Sequence, residues 1–109
     1  MEREKNERGR SMNGTGTWVL EEFTPCELPK EVATGFSLVM DQIIGVNYTP
    51  LLYAASQIVA GKNHMIICES VPVAINPVRS LVAVYLHQAL PVEGGEFRLL
   101  SVEPIKIGL

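Results

Sequence analysis

The sequence predicts an α+β domain in which one amphipathic helix packs across an antiparallel sheet of four to five strands. Three observations carry this reading. Only one segment, about residues 29–44, repeats apolar residues at three- and four-residue steps. Beyond it, apolar residues alternate at two-residue spacing between turn-forming stretches. The chain's 109 residues suffice for one core and not for two. Strands this close in sequence pair as hairpins, and the helix stripe needs an apolar sheet face to cover it.

Taken in order, "MEREKNERGR" and the residues up to 13 are charged and aperiodic, which predicts a disordered tail ahead of a domain at 14–109. "TWVLEEF" (17–23) suits a short strand with Trp18, Leu20 and Phe23 turned toward the core. "TPCELPKE" brings two prolines, suited to a turn and a helix start. The helix carries Val32, Phe36, Val39 or Met40, and Ile43 on one face. Glu31 favours its positive end, and Gly45 supplies its stop.

"PLLYAASQ" and "KNHMIICES" then read as strands, the second with Ile66 and Cys68 on one face and Met65 and Ile67 on the other. Pro72 and Pro77 place "VPVAINPV" in a loop or irregular edge. In "SLVAVYLHQA", Val82, Val84 and Leu86 alternate against Leu81, Ala83 and Tyr85. "LPVEGG" interrupts, and "EFRLLSVEPIKI" forms the last strand.

Charge and composition narrow the function. Residues 1–11 hold four basic and three acidic side chains, leaving five basic against nine acidic in the remainder. Such an acidic body lacks the footprint of a nucleic-acid binder. No apolar run approaches the roughly 20 residues that span a bilayer. The charged N-terminus lacks the apolar stretch of a secretory signal, so a cytoplasmic location is expected. Cys26 and Cys68 are then expected as free thiols. No Cys and His set has metal-ligand spacing, and no cofactor is expected.

A catalytic set is equally hard to find. His64 and Cys68 share a strand face but stand ~13 Å apart at strand rise, too far for a nucleophile and its base. "GTG" precedes no helix and has no phosphate-loop lysine. A non-enzymatic protein is expected.

The connections say more. In "QIVAG" (57–61) the hairpin tip carries Ile58, Val59 and Ala60 where polar turn residues are usual. Gly61 can supply a positive φ. The residues alone leave two readings open: a plain tight turn or a contact surface. "ALPVEGG" again puts apolar residues, Leu90, Pro91 and Val92, in a connection. Two apolar tips at one end of a sheet would form a wedge that fits a partner's cleft.

"QIVAG" has the Gln-x-Val-x-Gly form of the cystatin superfamily of cysteine-protease inhibitors, which this chain resembles over residues 14–104. "TPCELPKEV" is similar to the segment before the helix in the stefins, the small intracellular branch, and "VYLHQALP" looks like the stefin strand that ends in Leu-Pro. Gly16 stands about forty residues ahead of Gln57, near the place of the family's N-terminal glycine. The resemblance implies a reversible, occluding inhibitor of papain-like cysteine proteases. Gly16, the first loop Gln57, Ile58, Val59, Ala60 and Gly61, and the second loop Leu90 and Pro91 would enter the enzyme's cleft. Two departures stand out: the "VPVAINPV" loop is longer than in stefins, and Thr15 rather than a large apolar residue precedes Gly16. A non-inhibitory binding module of the same fold is the alternative. A monomer is expected, with exchange of the first hairpin as the route to a domain-swapped dimer. Gly61→Asp is expected to weaken protease binding with little loss of fold.

Overall fold

A computed structural model of the chain describes residues 16–21 and 27–106. The tail at 1–13, Phe23 and Cys26 lie outside the described residues. Strand β1 (Trp18–Leu20) precedes helix α1 (Lys30–Met40). Four longer strands follow: β2 (Val46–Val59), β3 (Gly61–Pro72), β4 (Ser80–Gln88) and β5 (Phe97–Pro104). All neighbours pair antiparallel in the order β1-β2-β3-β4-β5, and α1 packs on one face. This is the α+β arrangement that the sequence predicts.

The helix buries the expected stripe. Val32, Phe36 and Met40 join Ile66, Cys68, Val82, Val84 and Leu86 in a common core, with Val39 and Ile43 packed at its margin. Gly35 is buried among them, and it must be glycine because a Cβ there would overlap the Phe97 ring of β5. The same ring stacks on His64, with centroids 5.5 Å apart.

Three expectations need correction. The helix stops at Met40 rather than near residue 44. Beyond it the chain tightens, the amides of Gln42 and Ile43 donating to the carbonyls of Val39 and Met40 three residues back. Gly45, at φ +95°, belongs to the next turn, where its carbonyl accepts the Val73 amide at 2.9 Å.

Second, Leu20 does not face the core; it is 85% exposed. The register sets Trp18 opposite Gln57 and Leu20 opposite Ala55, on the face away from α1. A strand's side chains alternate, so reading β1 one residue out of phase turned both to the wrong side. Trp18 still anchors the edge through an edge-to-face contact with Tyr85 at 5.7 Å.

Third, β2 begins at Val46, not near Pro50. Pro50 fits because β1 pairs only with Ala55–Gln57, leaving β2 an edge at that level, and a bulge lies between Pro50 and Leu52.

Candidate functional site

The first hairpin is as short as a hairpin can be. Val59 pairs with Gly61 and leaves Ala60 alone at the apex. Gly61 sits at φ +102°, a conformation glycine adopts without steric cost. Its neighbour across the sheet is the end of β4, where Lys62 pairs with Gln88. The Gln88 carbonyl and the His87 ring fill the space a Cβ on Gly61 would need. The second loop starts one residue later, so the two tips lie side by side.

That second loop is held by its own backbone. The Ala89 amide donates to Glu96 across its neck at 2.9 Å, and the amides of Glu93 and Gly95 both donate to the Leu90 carbonyl. The chain takes one 3-10 turn at Pro91–Glu93 and leaves it through Gly94 at φ +105°. The N-terminal segment joins the same end, where the Gly16 amide donates to the Ile58 carbonyl at 2.7 Å.

A line of side chains ties these pieces together. Gln57 Nε2 donates to the Gly16 carbonyl at 2.8 Å. Asn63 Nδ2 donates to Gln57 Oε1 at 2.8 Å, and His87 Nδ1 donates to Asn63 Oδ1 at 2.7 Å. The line crosses from β1 to β4 and holds the N-terminal glycine and both hairpins in one arrangement. Every site residue expected from the sequence (Gly16, Gln57–Gly61, Leu90 and Pro91) therefore falls at one end of the sheet. They differ in what they present. Ile58 is 60% exposed and Val92 88%, while Gln57 is half-buried and spends its amide inside the molecule. Val92, next to Leu90-Pro91, joins the apolar tip, and its place in the run "LPV" signals it in the sequence.

Behind the tips lies a polar cluster that the strand pattern does not announce. His64 is 1% exposed on the inner face of β3. Tyr53 Oη is hydrogen-bonded to its Nδ1 at 2.7 Å, and its Nε2 donates to Gln88 Oε1 at 2.9 Å; in the neutral ring that burial favours, Nδ1 accepts from the Tyr53 hydroxyl. Burial lowers the His64 pKa below the ordinary imidazole value and the Lys62 charge adds to the lowering, against smaller opposing contributions from Gln88, Glu21 and Glu31. Burial also pushes the Tyr53 hydroxyl up to about 12, with Glu21 adding to the rise. Ser56 donates to the Glu21 carboxylate beside them. A cleft of about 440 Å³ opens over this cluster, bounded by Pro29 and Val32 on one side and Gly61, Leu90 and Pro91 on the other.

A pH dependence follows from the neutral His64. The unfolded chain takes up a proton near pH 6.5, while the folded one resists it. Stability is therefore complete above about pH 6.5 and declines as pH falls toward the lower folded value, by up to about 1.4 kcal/mol per unit. Urea unfolding at pH 7.5 and 5.5 should show this loss in the wild type, and a smaller one in His64→Gln. Equal losses in both would separate the effect from His64.

Among the described residues no nucleophile–base pair forms from Cys68 and the histidines. Cys68 is fully buried, its thiol pushed up to about 12 by burial. His87 lies at the level of Asn63 on the opposite face, five pairings from Cys68. Among the described residues no three or more His, Cys, Asp or Glu gather to hold a metal ion, and no helix is long and apolar enough to cross a membrane. No family model, curated protein or solved structure matches the chain.

Proposed function

We propose that the protein is a stefin-like inhibitor that reversibly occludes the active-site cleft of papain-like cysteine proteases. The observation that carries the reading is the convergence of Gly16, the Gln57–Gly61 tip and the Leu90–Pro91 loop at one end of the sheet, with Ile58 and Val92 exposed there. A wedge of this kind acts by occupation. It leaves the protease's cysteine unmodified, and its braced hairpins lose little conformational entropy on docking. Ile58, Val59, Ala60, Leu90, Pro91 and Val92 are the contact residues, and removing their apolar surface from water drives the association. Gln57 is a positioning residue that holds Gly16 against the first hairpin. A cytoplasmic location goes with this reading.

One observation favours the alternative of a non-inhibitory binding module: Thr15, not a large apolar residue, precedes Gly16, so the N-terminal arm brings no anchor for a substrate pocket. Titrating active papain with the purified protein, with and without residues 1–11, separates the two. Inhibition predicts stoichiometric loss of hydrolysis in at least one form. Ile58→Asp should then weaken binding by about 10–100-fold, the worth of one buried aliphatic side chain, with an unchanged melting temperature. Full papain activity at a tenfold excess of both forms would sink the inhibitor reading.

A further inference from the structure

The sheet face turned away from α1 carries an apolar belt across its middle, between the Gln57–Asn63–His87 line at the tip end and Glu69 at the far end. One row runs Leu20, Ala55, Met65 and Tyr85 across four successive strands, each opposite the next. A second runs Leu52, Ile67 and Ala83. Trp18 reaches across β2 and β3 to Tyr85 and raises an aromatic pair on this face, itself 37% exposed. An antiparallel sheet covered on one side alternates apolar with polar, whereas here the middle outer positions of β3 and β4, Met65, Ile67, Ala83 and Tyr85, are apolar like the inner ones, with Asn63 and His87 at the tip end and Glu69 at the far end.

The charges bordering the belt indicate what covers it. At the tip end, Arg98 stands on β5 opposite His87; at the far end, Glu103 stands on the same strand opposite Ala83. Both are exposed. Glu69, also at the far end, is engaged by Arg79 at 3.5 Å. The face therefore carries a positive charge at one end, a negative charge at the other and an apolar belt between. A two-fold axis lying across the strands reverses such a face upon itself. It sets β5 over β5 of a second copy, with Arg98 above Glu103 of the second copy and the reverse pair alongside.

We propose that a second copy of this chain covers the outer face of the sheet, forming a two-fold dimer with the belt at its centre and two Arg98–Glu103 pairs at its border. Sheets stack in this way about 10 Å apart and some 30° from aligned, and an isologous contact needs a self-complementary patch of this kind. The dimer replaces the expected monomer. It uses neither the exposed Ile58 nor the Leu90–Val92 loop, so it stands or falls independently of protease inhibition.

Sedimentation equilibrium on the full chain at about 100 µM tests the proposal, a concentration that populates any dimer of micromolar affinity. The expected result is twice the chain mass. Arg98→Glu and Glu103→Arg should each weaken the dimer at least tenfold, because each converts two attractions into two repulsions. The double variant should restore it. Met65→Lys, in the middle of the belt, should give a monomer, with circular dichroism confirming that it folds. A wild-type monomer at this concentration overturns the proposal. So does a dimer indifferent to both single changes, which would point to hairpin exchange, and so does a double variant that fails to recover.

Discussion

Replacing Phe36 with alanine should lower the stability of the domain by about 3–5 kcal/mol, the cost of emptying a large aromatic site that cannot collapse. Phe36 is 5% exposed at the middle of the α1 stripe, between Val32 and Met40, and belongs to the same core cluster as Ile66, Val84 and Leu86. Strands β3 and β4 are fixed by their pairing and cannot move in to fill the void. Domains of this size have only about 5–15 kcal/mol in hand, so the variant should melt on the order of 20 °C lower. Leu38 supplies the control. It lies on the same helix but is 66% exposed, and Leu38→Ala should stay within about 0.5 kcal/mol of the parent. If urea unfolding gave Phe36→Ala and Leu38→Ala similar losses, α1 would not be a principal cover of the sheet.

Gly61→Ala comes second, at about 2–5 kcal/mol. Part of this is backbone strain, roughly 1–2 kcal/mol for an L side chain in a left-handed conformation. The rest is overlap of the new methyl with the Gln88 carbonyl and the His87 ring, a packing conflict that typically costs 1–3 kcal/mol. Gly94→Ala isolates the first part, for its φ is nearly the same at +105° and the nearest atom is the flexible Glu96 side chain at 3.9 Å. It should therefore lose about 1–2 kcal/mol only. Equal losses at the two sites would show that the tips do not press on each other. This packing also corrects the expectation for Gly61→Asp. That change moves the backbone of Gln88 next to the second loop, so it harms the fold together with any contact. Ile58→Asp, on an exposed side chain, tests the contact without that burden.

How much of this was legible in the sequence depends on how far apart the interacting residues lie. The helix was readable because a stripe of Val32, Phe36 and Met40 is a local signal with its own period. So were the inner faces of β3 and β4, where alternation is carried by neighbours two residues apart. The phase of β1 was not. Three residues contain too little alternation, and only the pairing of Leu20 with Ala55, 35 positions away, decides which side it faces. His64 was hidden for the same reason. Its partners Tyr53 and Gln88 come from two other strands, and a histidine in "KNHMIIC" is equally compatible with a solvated position. For the candidate site, the tips and their apolar residues could be read from "QIVAG" and "LPV". The inward use of Gln57 could not, since it depends on where Gly16 and Asn63 come to rest.

The strict agreement of strand order with chain order has a consequence for how the protein is made. Each strand can zip onto the one released just before it, so the sheet can grow with translation and needs no late threading. The helix is not so favoured. Its stripe emerges early, yet part of its cover comes from Phe97, Leu99 and Val102 on the final strand. About sixty residues separate Phe36 from Phe97, a delay of roughly 3–12 s at ordinary rates of synthesis. During that interval a growing chain carries an apolar helix stripe whose cover is still incomplete.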